Sequence, residues 1–209
     1  MNQEITSFVK ALKTAVLQSQ YNAAKAVNTE IVQLYFVLGA AISKKVKHAN
    51  WGDKVIESIS NELQKELKGL KGFSHQNLKK MKLFYEAYPF MLSHCKLFKV
   101  LTDSTVNSTF EIGSALPNQN EINVSLVENE ISSALLNQFI ESFWSISTTN
   151  HFLIVSKVQT PENRSFYVCN TALNRWSSRV LENHLNNQIH LQENISSNFE
   201  KLSKGKVMN

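Results

Sequence analysis

A mainly α-helical fold is predicted by three observations. Apolar residues recur at helical spacing through most of the first ninety positions. Helix breakers are few, with 6 Gly and 3 Pro in 209 residues. Small polar residues stand just ahead of several apolar-periodic runs, where their side chains can accept from free helix N–H groups. A content of 43% hydrophobic and 19% charged residues suits a packed chain and not a disordered one.

Taken in order, residues 3–19 place Ile5, Phe8, Val9, Leu12, Ala15 and Val16 at helical spacing and predict a first helix. A second is expected over about 22–47, burying Val27, Ile31, Leu34, Leu38, Ala41 and Ile42. The stretch "ANWGDKV" (49–55) breaks the pattern: Gly52 ends one element, and Asp53 is placed to cap the next. That helix, about 54–68, turns Val55, Ile59, Leu63 and Leu67 inward with Ile56 beside them. "KGLKGF" (68–73) is a turn, Ser74 caps a helix running to Tyr88, and Pro89 stops it. From 93 to about 130 the sequence is polar, β-branched and acidic, and reads as a longer irregular loop that admits one short strand pair. Helical spacing returns at about 131–145, after which "STTNH" (147–151) reads as a turn into the apolar stretch "FLIVSKV" (152–158). Pro161 opens a helix to about Leu173, and Ser177 caps a last one through Ile189.

These elements divide into a basic helical half (1–90), an acidic connection with a helix (91–145), a second unit (146–192) and a tail (193–209), expected to form one compact domain overall. "GFSHQNLKKM" (72–81) and "RWSSRVLENHL" (175–185) share an aromatic, then a Ser, then an apolar residue four or five positions on. Each follows a helix and a short turn, so one or two helix-turn-helix-like units are expected.

Charge is unevenly spread. The net charge is +5, but residues 44–82 carry ten Lys against four acids, whereas 83–160 carry three Lys against seven acids. A basic excess confined to one segment is the footprint of a polyanion-binding module, although lysines also serve simply to solvate helix faces.

On the helix after Ser74, a turn of ~100° per residue gathers Asn77, Leu78, Met81, Phe84, Tyr85 and Tyr88 on an inward arc. Gln76, Lys79 and Lys80 lie opposite, with His75 and Lys82 on the flanks. In helix-turn-helix units the N-terminal residues of the second helix reach base edges while nearby lysines neutralise phosphates. Gln76 is suited to adenine, Lys79 and Lys80 to phosphate, and Lys68 and Lys71 extend the basic surface into the turn. Leu83 shares the outer arc, so a partner element is expected to cover part of this face. On the helix after Ser177, Arg179 and Asn183 point outward beside Glu182, which repels phosphate; that surface suits base edges or a protein partner.

Catalytic constellations are absent: no phosphate loop, no "GxSxG", no "HExxH". His94 and Cys95 are adjacent, and neighbours in sequence do not face one another. "ELK" (66–68) has the residue types of a metal-nuclease motif but falls in a helix. His151 is the histidine best placed for function, with a core role as its competing reading. Two cysteines give no disulfide framework and no zinc set. No cofactor or metal is expected. The start "MNQEITSFVK" lacks the layout of a signal peptide, and the longest apolar run, "IVQLYFVLGAAI" (31–42), is short of the ~18 residues of a span and interrupted by Gln33. The expected location is the cytoplasm, with no membrane contact.

"VNTEIVQLYFVLGAAI" (27–42), "WGDKVIESISNEL" (51–63), "KGFSHQNLKKMKLFYEAYP" (71–89), "TNHFLIVSK" (149–157), "ENRSFY" (162–167) and "WSSRVLENHL" (176–185) stand in an order that resembles the YhcG family of bacterial proteins, over most of 20–190. Members join an N-terminal helical domain to a C-terminal nuclease of the PD-(D/E)xK type. The resemblance implies that this chain is the DNA-binding or targeting half of a YhcG-like nuclease system, non-catalytic by itself because the nuclease carboxylates and lysine are expected to be missing from it. Where many members show Trp immediately before "TNH", this sequence has Thr148. The stretch 93–145 is longer and more acidic than the family pattern, and little of that pattern continues after Leu185. DNA is the expected partner, with a homo-oligomer or a separate nuclease subunit as further ones. A protein-interaction or dimerisation module working through positions such as Leu83 remains the alternative.

Overall fold

The computed structural model describes residues 2–48, 52–98 and 133–191, and all regular structure among them is helical. The first element corrects the reading of two helices: α1 is a single helix over Asn2–His48. The expected junction, "SQYNAAKAV" (19–27), holds no Gly or Pro, its alanines favour helix, and Gln18 donates to Asn22 across it at 3.0 Å. Nothing there supplies a break.

The buried face of α1 is also not the expected one. Val32, Phe36, Val37 and Ala40 are buried, whereas Val27, Ile31 and Leu34 are 60%, 42% and 38% exposed. Ile42 is buried as expected, and Leu38 and Ala41 are half-buried. α1 carries two apolar stripes, and the one bearing Phe36 faces inward, where that ring meets Phe84, Tyr85, Phe143 and Trp144 edge-on at 5.1–5.7 Å. Gln33, which interrupts the apolar run, is buried for a reason: its Oε1 accepts the Leu97 N–H at 2.8 Å and the Cys95 thiol at 3.7 Å. A window of α1 averaging a hydropathy of 1.3 is apolar enough to cross a membrane by length and composition, which a criterion of uninterrupted apolar residues does not register. Of that window 44% is buried inside the protein.

α2 spans Gly52–Glu66, so Asp53 sits within its first turn and not ahead of it. It turns Ile56, Ile59 and Leu63 toward Ile42, Leu78 and Met81. α3, His75–Ala87, starts as predicted: the Ser74 hydroxyl accepts the Asn77 N–H at 3.4 Å. Its buried residues are Leu78, Met81, Phe84 and Tyr85, with Tyr88 buried at the cap. α3 crosses α1 where Gly39 faces the Met81 backbone, and a Cβ at Gly39 would collide with the Met81 carbonyl. Backbone cannot yield as a flexible side-chain end does, so Gly39→Ala is expected to destabilise the fold by about 1–3 kcal/mol, the usual cost of overpacking. A lowered denaturation midpoint in urea checks this; an unchanged midpoint would mean that the helices separate freely.

Pro89–His94 forms a 3₁₀ turn that reaches two residues into the irregular loop expected from 93. The strand pair admitted there falls on residues outside those described. α4 spans Ser133–Ser145. "STTNH" is not a turn: the Ser147 hydroxyl accepts the Asn150 N–H at 3.2 Å and opens α5, Thr148–Lys157. The apolar stretch expected after it is the second half of that helix. α6, Pro161–Leu173, is capped by Thr160 with Pro at its first position. α7, Ser178–Asn186, is capped by Ser177 and ends three residues short of Ile189, where Gln188 takes a φ of 49°.

The main core joins α1, α3, α4, α5, α6 and α7. The last carbonyls of a helix have no partner within it, and here the end of α4 is bonded from outside. His151 of α5 donates to Phe143 O at 2.8 Å, Thr29 to Trp144 O at 3.2 Å, and Asn28 to Ser145 O at 3.0 Å. Asn150 ties α5 to the α6–α7 turn, accepting from Ser178 Oγ at 2.7 Å and donating to Trp176 O at 3.4 Å.

Candidate nucleic-acid interface

α3 is held on its buried sides by α1, α2 and α5, which leaves one outward strip. Gln76, Lys80 and Leu83 are exposed and Lys79 is half-buried. This strip begins at the Ser74 cap, so the positive end of the helix dipole lies at its start. Ahead of it, Lys68 and Lys71 are exposed on a turn shaped by two glycines with positive φ, Gly69 at 89° and Gly72 at 108°. A Cβ at Gly72 would also meet the Tyr35 hydroxyl. Asn77 sits on the half-buried side and donates to Gly72 O, a structural bond that fixes the turn against the helix.

The predicted lysines divide. Lys80 leans to the α5 side, its Nζ 6.0 Å from the centre of the Phe152 ring. Lys82 turns to the α1 side and pairs with Glu86 at 2.9 Å; Glu86 also accepts from Ser43 of α1 at 2.7 Å. The Lys82 charge is therefore matched within the fold, and this lysine is not a free phosphate ligand. His75 is half-buried, and its Nε2 is buried with no protein partner.

The structure does not bring the second predicted group into the same strip. Arg179 and Asn183 are exposed on α7, and α5 lies between α7 and α3, touching both. Lys157 of α5 donates to Glu182 at 3.0 Å and to Asn186 at 2.8 Å, closing that side of the helix pair. Trp176 packs on His184 with centroids 4.2 Å apart and ring planes tilted by 42°, which accounts for the aromatic in the sequence echo.

Between α3 and α5 runs a groove of about 680 Å³ with Lys80, Leu83, Phe152 and Leu153 on its walls. Tyr35 lies near-parallel to Phe152, centroids 6.5 Å apart, at its side. Arg164 closes one end, donating to Val158 O at 2.9 Å and to Ala87 O at 3.5 Å. Tyr35 and Phe152 are lining residues that sequence reasoning missed. Reading "TTNHFLIVSK" as one helix is the signal that finds Phe152, because 152, 153 and 156 then share a face.

His151 proves to be a core residue. It is fully buried, 4.4 Å from Phe84 and 4.5 Å from Phe143 by ring centroids, and burial pushes it down to about 3. Cys95 is buried and its thiol is pushed up to about 11, so it carries no thiolate at neutral pH. Glu66 of "ELK" ends α2, and no strand presents it. Among the described residues, no group of three His, Cys, Asp or Glu side chains is placed to hold a metal ion.

A family model described as the DUF1016 N-terminal domain matches residues 11–192. Comparison with curated proteins and with solved structures returns no match.

Proposed function

The chain belongs to the DUF1016 N-terminal domain family, that of YhcG-like proteins, and from that premise we propose that it is a DNA-binding or targeting domain, cytoplasmic and non-catalytic by itself, serving a nuclease. One observation carries the reading. The strip of Gln76, Lys79 and Lys80 lies at the capped start of α3, beside the exposed lysines of the preceding turn, within the one segment of strong positive excess. Lys68, Lys71, Lys79 and Lys80 supply phosphate contacts, Gln76 reaches a base edge, and His75 sits beside them at the helix start. Lys82 drops from the contact set because Glu86 holds it. Arg179 and Asn183 form a separate, weaker surface that touches DNA only if the duplex passes over α5.

Fluorescence anisotropy on duplex, branched and single-stranded DNA across a salt series tests this. Affinity is expected to fall steeply with salt, as counterion release requires. The double variant Lys79→Glu/Lys80→Glu is expected to abolish binding. Lys79→Ala/Lys80→Ala should reduce the slope of log K against log salt by about 2, near one per lost phosphate contact. No binding at low salt would make these lysines a solvated face.

The groove favours a second reading. Leu83 is 53% exposed and, with Phe152 and Leu153, offers apolar walls to a protein segment. Under that reading Leu83→Asp removes association with a nuclease subunit while DNA affinity stays at its starting value.

A further inference from the structure

The outward stripe of α1 is the largest feature the DNA reading leaves unused. Ile5, Val9, Leu12 and Val16 are 50–56% exposed, and Val27, Ile31 and Leu34 continue the same line at 38–60%. At ~100° per residue these positions fall within an arc of about 100°, centred roughly 150° from the residues that α1 gives to the core. The line is kept by an 11-residue period: 5, 16, 27 and 38 are Ile, Val, Val and Leu, while 12, 23 and 34 are Leu, Ala and Leu. Such a period holds an apolar seam on one side of a nearly straight helix, the pattern of helix-to-helix packing. Before Asn28 every described side chain of α1 is exposed. A lone helix bearing this much apolar surface is unstable in water and marks an interface.

The spacing also names the occupant. Run backwards, the exposed seam 9, 12, 16, 20, 23, 27, 31, 34 reproduces itself. An antiparallel two-fold contact requires this of a helix that meets its own copy. We propose that two copies of this chain pair through α1 in antiparallel fashion, with Val9 against Leu34, Leu12 against Ile31 and Val16 against Val27. In this register Lys13 and Glu30, at the two edges of the arc, lie level with one another, and Lys10 and Lys25 point away from the seam, so no like charges meet across it. Val32, Phe36 and Ala40 point away from the seam, and α2 reaches it only at its far end, where Leu38 and Ile42 pack. Seven exposed side chains per copy, at roughly 60–120 Å² each, bury on the order of 800–1,700 Å², which reaches the size of stable interfaces.

Sedimentation velocity on the whole chain is expected to give twice 23.7 kDa at micromolar concentration. Leu12→Asp/Val16→Asp should give a monomer whose body keeps its helical spectrum and cooperative unfolding. Direction is read by cross-linking in a Cys169→Ser background. A mixture of the Val16→Cys and Val27→Cys proteins should form a disulfide-linked dimer, whereas Val16→Cys alone should not, its copies lying ~16 Å apart along the axis. A monomer at tens of micromolar, or efficient self-linking of Val16→Cys, overturns the proposal. DNA binding is scored separately on the monomeric variant, so the two readings fail independently.

Discussion

Replacing Phe143 by alanine is expected to destabilise the protein by about 3–5 kcal/mol, the usual cost of deleting a fully buried aromatic ring. Its centroid lies 5.7 Å from Phe36 of α1, 5.5 Å and 5.0 Å from Phe84 and Tyr88 of the α3 segment, and 4.5 Å from His151 of α5. Removing it strips contacts from three other chain segments at once. The neighbours cannot collapse inward, because the end of α4 is fixed by bonds from Asn28, Thr29 and His151. Against a total of ~5–15 kcal/mol for a native protein, this loss is a fifth or more. Urea denaturation followed by circular dichroism should show the midpoint falling by well over half a molar, while Phe143→Leu falls by less. Equal midpoints for the Ala variant and the parent would show that the aromatic cluster is not the centre of the fold.

Caps and breakers were the most legible features of the sequence. Ser74, Thr160 or Pro161, and Ser177 start helices within a residue of where local chemistry places them, because a cap is a bond between neighbours in the chain. The inward arc of α3 was readable for a related reason: it has one apolar side and one lysine side, so periodicity has one answer. α1 has two apolar sides, and periodicity cannot say which meets the core. That choice belongs to Phe36, whose ring neighbours stand about 50 or more residues away in sequence. The "TTNH" helix was illegible because Thr, Asn and His disfavour a helix interior. Here Asn150 and His151 are fixed by tertiary bonds to the α6–α7 turn and to α4.

The same distinction governs the candidate site. Sequence placed Gln76, Lys79 and Lys80 on the outward side of α3; Gln76 and Lys80 are exposed there and Lys79 is half-buried. It could not show that Lys82 is claimed by Glu86, since that pair is oriented by Ser43 of a different helix. Nor could it show that α5 separates Arg179 and Asn183 from the lysines. The conspicuous polar blocks of the sequence, "VNTE" and "TNH", turn out to hold helix ends together, so they bear on the site by positioning α3 and α5.

Lowering the pH should weaken the fold in a way that traces to His151. Its ordinary value is 6.5, and burial pushes it down to about 3. Above pH 6.5 the ring is neutral in both folded and unfolded chains and contributes no slope. Between 6.5 and 3 the unfolded chain binds a proton that the folded chain excludes, so stability falls as pH falls, by about 1.4 kcal/mol per unit, and the loss levels off below 3. From pH 6.5 to pH 5, before most carboxylates protonate, this amounts to about 2 kcal/mol. His151→Gln is the matched control, since its amide can still donate to Phe143 O but does not titrate. Its stability at pH 7.5 should be lower, through lost ring packing on Phe84 and Phe143, yet its decline toward pH 5 should be shallower than the parent's by that amount. Parallel declines would place the acid sensitivity elsewhere. A clear difference would show that the histidine most conspicuous in the sequence is kept neutral to hold α5 against α4, which fixes one wall of the groove beside Lys80.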